Sequence, residues 1–357
     1  MAGTARQVNC YAMNSDWQLF LTQQGATIDA GLVQHFGDAA AELLSTWQGT
    51  VLCDLSQFGT LRVSGEEAQT FLQNMLSNDT REIDASRAQL SSLNTPKGRM
   101  LATMLIWRDG DDYLLQLPRA LCEPMHKKLG MYVLRAKVKI TDASDEIVVL
   151  GLSGENAQEI LKKQFGELPQ LPFGFIDTKQ AGVLKLSDTR FQINTTTQYA
   201  PAFWQTLSQQ AKPAGSVCWD WLNIHAGIPV ILPQTQEQFV PQMANFELIG
   251  GVNFKKGCYP GQEIVARMQY LGKAKRRMYL AHLDSSAVPQ PGDELFSADM
   301  EEQACGMIVN AAPAQGGGYD LLAVVQTASR EAQTVHWKSM QGEALQFLQL
   351  PYSLSQS

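Results

Sequence analysis

Hydrophobic and polar positions along the chain sort into short periodic runs separated by turn chemistry. Residues 59–63 alternate and read as a strand. Ser64-Gly65-Glu66-Glu67 follows as a capping-box pattern, and Ala68, Phe71, Leu72, Met75 and Leu76 keep helical spacing behind it. Residues 89–93 and 100–107, joined by Thr95-Pro96-Lys97-Gly98, predict a hairpin, which Asp109-Gly110-Asp111-Asp112 turns into a third strand over 113–117. A helix over 119–132 and a strand over 136–140 complete the unit. Strand, helix, meander, helix and strand together predict an antiparallel sheet with helices on one face.

The pattern then partly repeats. Val63-Ser64-Gly65-Glu66-Glu67-Ala68-Gln69 is echoed by Leu152-Ser153-Gly154-Glu155-Asn156-Ala157-Gln158, and each run leaves a strand and opens a helix. The second half carries strands near 183–186 and 191–194 and helices near 201–210 and 217–226. Beyond residue 277, short strands alternate with Gly and Pro turns, as in a small antiparallel barrel or sandwich. The expected class is α+β. The expected division is an entry segment over 1–50, α+β modules over 51–144 and 145–272, and a β-barrel over 273–357.

Composition changes this picture little. The 357 residues are 45% hydrophobic and 18% charged, which suits folded cores. The net charge of −7 argues against a protein that coats nucleic acid. No apolar run is long enough to span a membrane, and the polar first fifteen residues lack a secretory pattern, so a cytoplasmic location is expected. Cys10, Cys53, Cys122, Cys218, Cys258 and Cys305 are too far apart for a CxxC-type centre, and no metal is expected. Phosphate-loop, dinucleotide, zinc-protease and serine-hydrolase templates are also missing.

One segment concentrates chemistry. Residues 253–277 hold seven Lys or Arg against one acid, Glu263. Cys258 lies just before a helix expected from Gly261, behind Lys255 and Lys256 and between glycines. A helix N-terminus and nearby ammonium groups favour thiolate, and glycines admit close backbone approach. Cys258 is therefore the candidate functional thiol, and the other five cysteines read as structural. Lys273 to Arg277 is either a solvated turn or an anion-binding run. Glu263 and Arg267, four apart, are placed to pair with each other.

The run Lys256-Gly257-Cys258-Tyr259-Pro260-Gly261-Gln262-Glu263 closely resembles the signature of the YgfZ family, which is built like the glycine-cleavage T-protein. Gly250-Gly251-Val252-Asn253-Phe254, the stretch 222–230 and Leu350-Pro351-Tyr352-Ser353-Leu354 extend the resemblance over most of the chain from about residue 50. It implies a ring of two ferredoxin-like modules and a C-terminal barrel around a central pocket for tetrahydrofolate or a derivative. It also implies support for assembly or repair of iron–sulfur enzymes, among them radical enzymes that thiomethylate tRNA, and a link to replication initiation. The family's folate-associated aromatics fall on Phe58 and Trp219. A frequent glutamate of the family is His225 here. Lys255 and Lys256 are expected to lower the thiol pKa or meet the glutamyl tail, with Arg267 a further anion contact, and Cys258 to look into the pterin hollow. The acid pair of true aminomethyltransferases is replaced by Leu101 and Ala102, which cannot titrate, so an active transferase is disfavoured. Two other readings stay open: a one-carbon transferase using Cys258, and direct tRNA binding through 255–277.

Overall fold

The computed structural model describes residues 13–271, 274–301 and 303–354. A five-stranded antiparallel sheet runs in the order Gln89–Asn94, Met100–Asp109, Asp112–Pro118, Phe58–Ser64, Lys139–Asp142. The helices Ala68–Met75 and Arg119–Val133 cover its outer face through Phe71, Leu72, Leu121, Met125 and Leu129. A second sheet of six strands holds Phe175–Asp177, Ala181–Lys185, Arg190–Thr196, Ile147–Gly154, Thr50–Asp54 and Lys212–Ala214. The strand Thr50–Asp54 lies in this second sheet, paired antiparallel with Ile147–Gly154 and parallel with Lys212–Ala214. The chain between residues 13 and 48 packs there too: Trp17 and Leu21 share a core with Leu150, Leu152 and Trp204. The third unit is a curled six-stranded sheet, antiparallel throughout, whose two ends are linked by a bridge from His336 to Ala344. No helix among the described residues is long and apolar enough to cross a membrane.

Side-chain alternation sorts each sheet between two cores. Leu52, Leu150 and Leu152 face the second unit's own core, whereas Val51, Cys53 and Val149 face a shared one. In the first sheet Met104 and Ile106 point outward, and Leu105 and Trp107 point to the shared core. In the third, Leu321, Ala323 and Val325 fill the local core, while Leu322 and Val324 join the shared one. Successive strand residues point to opposite faces, so one strand can serve both cores only if both faces are apolar. That explains continuous runs such as Val148-Val149-Leu150 and Leu321-Leu322-Ala323-Val324-Val325.

The Ser-Gly-Glu repeat has a physical origin different from capping. The first helix starts at Ala68 with no side-chain cap, and the Ser64 hydroxyl donates to the Lys139 carbonyl instead. What recurs is the glycine. Gly65 (φ +111°) and Gly154 (φ +136°) turn each strand into its helix while pressed on a neighbouring backbone. A Cβ at Gly65 would stand 2.1 Å from the Lys137 carbonyl oxygen, and one at Gly154 would stand 2.1 Å from that of Gly49. Gly316 also has positive φ (+93°) but open space around it. G316A should therefore lose only about 1–2 kcal/mol, from backbone strain, and G154A about 2–4 kcal/mol, with the collision added. Urea unfolding of the two variants measures the difference, and equal losses would remove the close-approach explanation.

Candidate functional site

The helix Ser216–His225 runs beside the second sheet, and its Trp219 rests on a strand position that must be glycine. A Cβ at Gly151 would come 2.5 Å from the indole ring. On the indole lies Arg190, its guanidinium carbon 4.6 Å from the ring centroid. Arg190 donates to the Asn223 Oδ1 (2.8 Å) and the Leu222 carbonyl (3.2 Å), and no carboxylate pairs with it among the described residues. Burial pulls its pKa down to about 10, so it remains a cation at neutral pH. The indole is held rigidly and is 2% exposed.

Phe58 opens the strand Phe58–Ser64 of the first sheet. Together with Trp219 it lines a small cavity of about 80 Å³, walled also by Leu105, Phe173 and Phe246. A small amide network enters this apolar space. The Gln192 Nε2 donates to the Gln116 Oε1 (2.6 Å) and the Asn194 Oδ1 (2.7 Å), joining the two sheets. An adjoining cavity of about 180 Å³ shares Phe58, Pro118, Asn223 and Val230 with the first and adds Gln57 and Asp220. A third, of about 390 Å³, shares Leu90 and Phe173 with the first and is edged by Arg87 and Lys255. Asp220 had no motif to mark it. Its only signal is an acid between Trp219 and Trp221 in an apolar helix, and burial pushes its pKa up to about 6 against a weak pull from Gln57.

The thiol lies elsewhere. Cys258 is exposed, and neither it nor Gly257 lines any of these three cavities, so the expectation that the sulfur looks into the pterin hollow is corrected. Around it the motif is committed to folding. Lys256, 4% exposed, sends its ammonium to the carbonyls of Gln73 (2.6 Å), Leu76 and Asn78 (3.1 Å), at the C-terminal end of the helix Ala68–Met75. A lysine there satisfies orphan carbonyls and opposes the helix dipole. Burial pulls its pKa down to about 8, with Asp79 acting in the other direction. Lys256 is thus neither a tail contact nor a free cation beside the sulfur. The buried Tyr259 ring sits 5.0 Å from that ammonium, and burial raises its hydroxyl pKa. The Gln262 Nε2 donates back to the Lys256 carbonyl at 3.3 Å. Gly261 (φ +80°) presses on the first-sheet hairpin, where a Cβ would stand 2.5 Å from the Gly98 Cα and the Thr95 oxygen, so its close approach is to protein. Gly257 has open space around it.

The remaining candidates are dispersed. The helix begins at Gln262, as the spacing predicted, but Glu263 and Arg267 stand exposed on it and form no ion pair with each other. Arg277 is paired internally with Glu247, and Lys273 lies outside the described residues. His225 donates its Nε2 side to the Asp320 Oδ2 (2.7 Å), which also receives the Trp221 Nε1 (2.9 Å), while His282 Nδ1 meets Oδ1 at 2.8 Å. Burial alone would raise the Asp320 pKa, but these three contacts outweigh it and hold the carboxyl below its ordinary value. Leu101 and Ala102 are buried in the first unit's core. Cys53, Cys122, Cys218 and Cys305 are buried, with burial pushing Cys122 up to about 12 and Cys218 up to about 11; Cys10 lies outside the described residues.

Similarity to known proteins follows the same outline. Residues 33–256 match the family described as GCVT N-terminal domain. The tRNA-modifying protein YgfZ of Enterobacter sp. (strain 638) is 32% identical over 307 residues, covering 85% of this chain and 94% of its own. The proteins of that name from Shigella boydii serotype 4 (strain Sb227) and Escherichia coli (strain SMS-3-5 / SECEC) are each 30% identical with the same coverage. Among solved structures, the glycine cleavage system aminomethyltransferase T from Bartonella henselae superposes with a TM-score of 0.79 at 17% identity, over 96% of this chain and 98% of that one. This last likeness is one of fold.

Two stability outcomes follow from the site. K256A should lose about 2–4 kcal/mol, since three buried carbonyls lose a charged donor; C258S, at an exposed position, should stay within about 0.5 kcal/mol. Denaturant titration distinguishes them, and a neutral K256A would discredit the capping role. For Asp220, the folded pKa near 6 lies above the unfolded value of about 3.9. The folded state therefore binds the proton more tightly, and wild-type stability gains as pH falls from 7 toward 4. D220N should exceed wild type above pH 6 by at most about 3 kcal/mol, at ~1.4 kcal/mol per pKa unit, with the gap closing toward pH 4. Thermal melts across that range test the sign.

Proposed function

This chain belongs to the YgfZ family, and from that premise we propose that it is a tRNA-modification factor that binds tetrahydrofolate and supports iron–sulfur enzymes, rather than a one-carbon transferase. The observation that carries the folate part is the cavity between Phe58 and Trp219, where the modules meet. Its aromatic walls suit the face of a flat bicycle, and the Gln116–Gln192 amides supply polar contacts inside an apolar shell. Leu90 and Phe173 lead to the mouth edged by Arg87 and Lys255, where a negatively charged glutamyl tail finds cations. Arg87 is weakly held, 3.6 Å from Glu82, and both side chains are largely exposed.

In this reading the protein's residues bind and orient folate but move no proton at its reactive nitrogens. The hairpin that carries acids in true aminomethyltransferases ends here in buried Leu101 and Ala102. The exposed Cys258 faces outward, suited to a macromolecular client in the cytoplasm such as a radical tRNA-thiomethylating enzyme. Its separation from the cavities weighs against a transferase that uses this thiol on folate. The internal pairing of Arg277 weakens the case for a continuous tRNA-binding run.

Calorimetric titration with tetrahydrofolate tests the proposal. Wild type and C258S should bind with equal affinity and one-to-one stoichiometry, whereas F58A and W219A should each lose about tenfold or more, as removal of a buried aromatic wall implies. Wild-type affinity in both aromatic variants would refute the pocket, and product formed from methylene-tetrahydrofolate by wild type but not C258S would favour the transferase.

A further inference from the structure

The adjoining cavity, which shares Phe58 with the one beside Trp219, carries an imbalance of hydrogen-bonding capacity. Its walls are mostly apolar: Leu32, Phe58, Ile224, Val230 and Leu232. Asn310 contributes nothing free, because its amide is bound on both sides to the Val230 backbone, at 2.9 and 2.8 Å. The Asn223 Oδ1 is taken by Arg190 at 2.8 Å, and two acceptors remain. The Asp220 carboxylate receives one long contact, 3.4 Å from the Gln57 Nε2, and forms no ion pair among the described residues. The Gln57 Oε1 is buried with no hydrogen-bond partner among the described residues. The Gln57 amide orientation is fixed by its own neighbours, since its nitrogen lies between two acceptors, the Asp220 carboxylate and the Ser216 carbonyl at 3.5 Å.

Unmet acceptors in an apolar cavity are costly unless something supplies donors. The complementary group is planar, because it lies along Phe58, and it presents neighbouring N–H groups without an acceptor between them. A carboxylate takes two parallel N–H groups through its two oxygens. An amino group next to a ring N–H, as on the pyrimidinone half of a pterin, has that pattern. We propose that Asp220, with Gln57 beside it, reads the amino–N–H edge of the bound ligand and so determines which heterocycle the cavity accepts. This rests on the folate reading above, with one edge of the ring reaching past Phe58 into the adjoining cavity, and adds a carboxylate to the amide contacts of that reading. It also assigns a use to a carboxylate that burdens the fold, since His225 on the same helix is engaged by Asp320 and offers nothing to the cavity.

The test is titration of wild type, D220N and Q57A with tetrahydrofolate and with its 2-desamino-2-methyl analogue, each variant first shown to melt cooperatively. Wild type should prefer tetrahydrofolate by about 10- to 100-fold, the range for hydrogen bonds to a charged group. D220N should lose most of that preference, and Q57A a smaller part. The analogue titrated against wild type needs no variant, so the result stands even if D220N fails to fold. Wild type binding both compounds equally, or D220N keeping full preference, overturns the assignment while leaving the folate proposal intact. Wild type binding neither compound overturns both.

Discussion

Three sheets turn one face each toward a common centre, and the rest of the molecule depends on that centre being closed. Leu105 and Trp107 from the first unit, Val51 and Val149 from the second, and Leu322 and Val324 from the third lie in one continuous apolar cluster. None of these units can leave without exposing the inner half of a strand that is already apolar on its outer half. Close packing of this kind responds sharply to small changes in volume. The cavities lie along the seams of this cluster, because three twisted sheets cannot fill a centre as densely as two packed layers. A ligand there touches several units at once, and its walls come from residues as far apart as Phe58, Phe173 and Trp219.

The stretches that mark the family are largely the joints between units. Lys256 ties the loop to the first unit's helix, Gly261 seats it on the hairpin, and Gln262 closes it. The Ser77 hydroxyl donates to the Gly251 carbonyl and the Asn78 Nδ2 to that of Gly250. The Tyr352 hydroxyl donates to the Gly227 carbonyl at 2.8 Å, and a Cβ at Gly227 would strike the Tyr352 ring. A signature of eight residues can thus contain one exposed thiol and several fixtures that hold it out.

Local order was readable in the sequence wherever one element decided it. The hairpin at Thr95-Pro96-Lys97-Gly98, the helix from Arg119 and the helix behind Gly261 all sit where turn residues and spacing put them. Long-range choices were not readable. Thr50–Asp54 is apolar on both faces, and nothing local says which sheet receives it. Lys256 looks like a surface cation until the end of a helix 180 residues earlier arrives beside it. Phe58 and Trp219 entered through resemblance, and their common cavity needs the tertiary structure to appear. Asp220 was hidden for the opposite reason: a single acid in an apolar helix reads as its exposed face until Gln57 and Phe58 close over it.

One carboxylate gives the C-terminal sheet an influence beyond its own borders. Asp320 gathers the Trp221 indole and the His225 and His282 imidazoles, and Trp221 and His225 belong to the helix that also carries Trp219, Asp220 and Asn223. Two of those three contacts fix the rotation of that helix about its own axis. The pitch at which Trp219 and Asp220 enter their two neighbouring hollows is therefore set from the far end of the chain, and a shortened protein ending before this strand would present the same side chains at an unregulated angle.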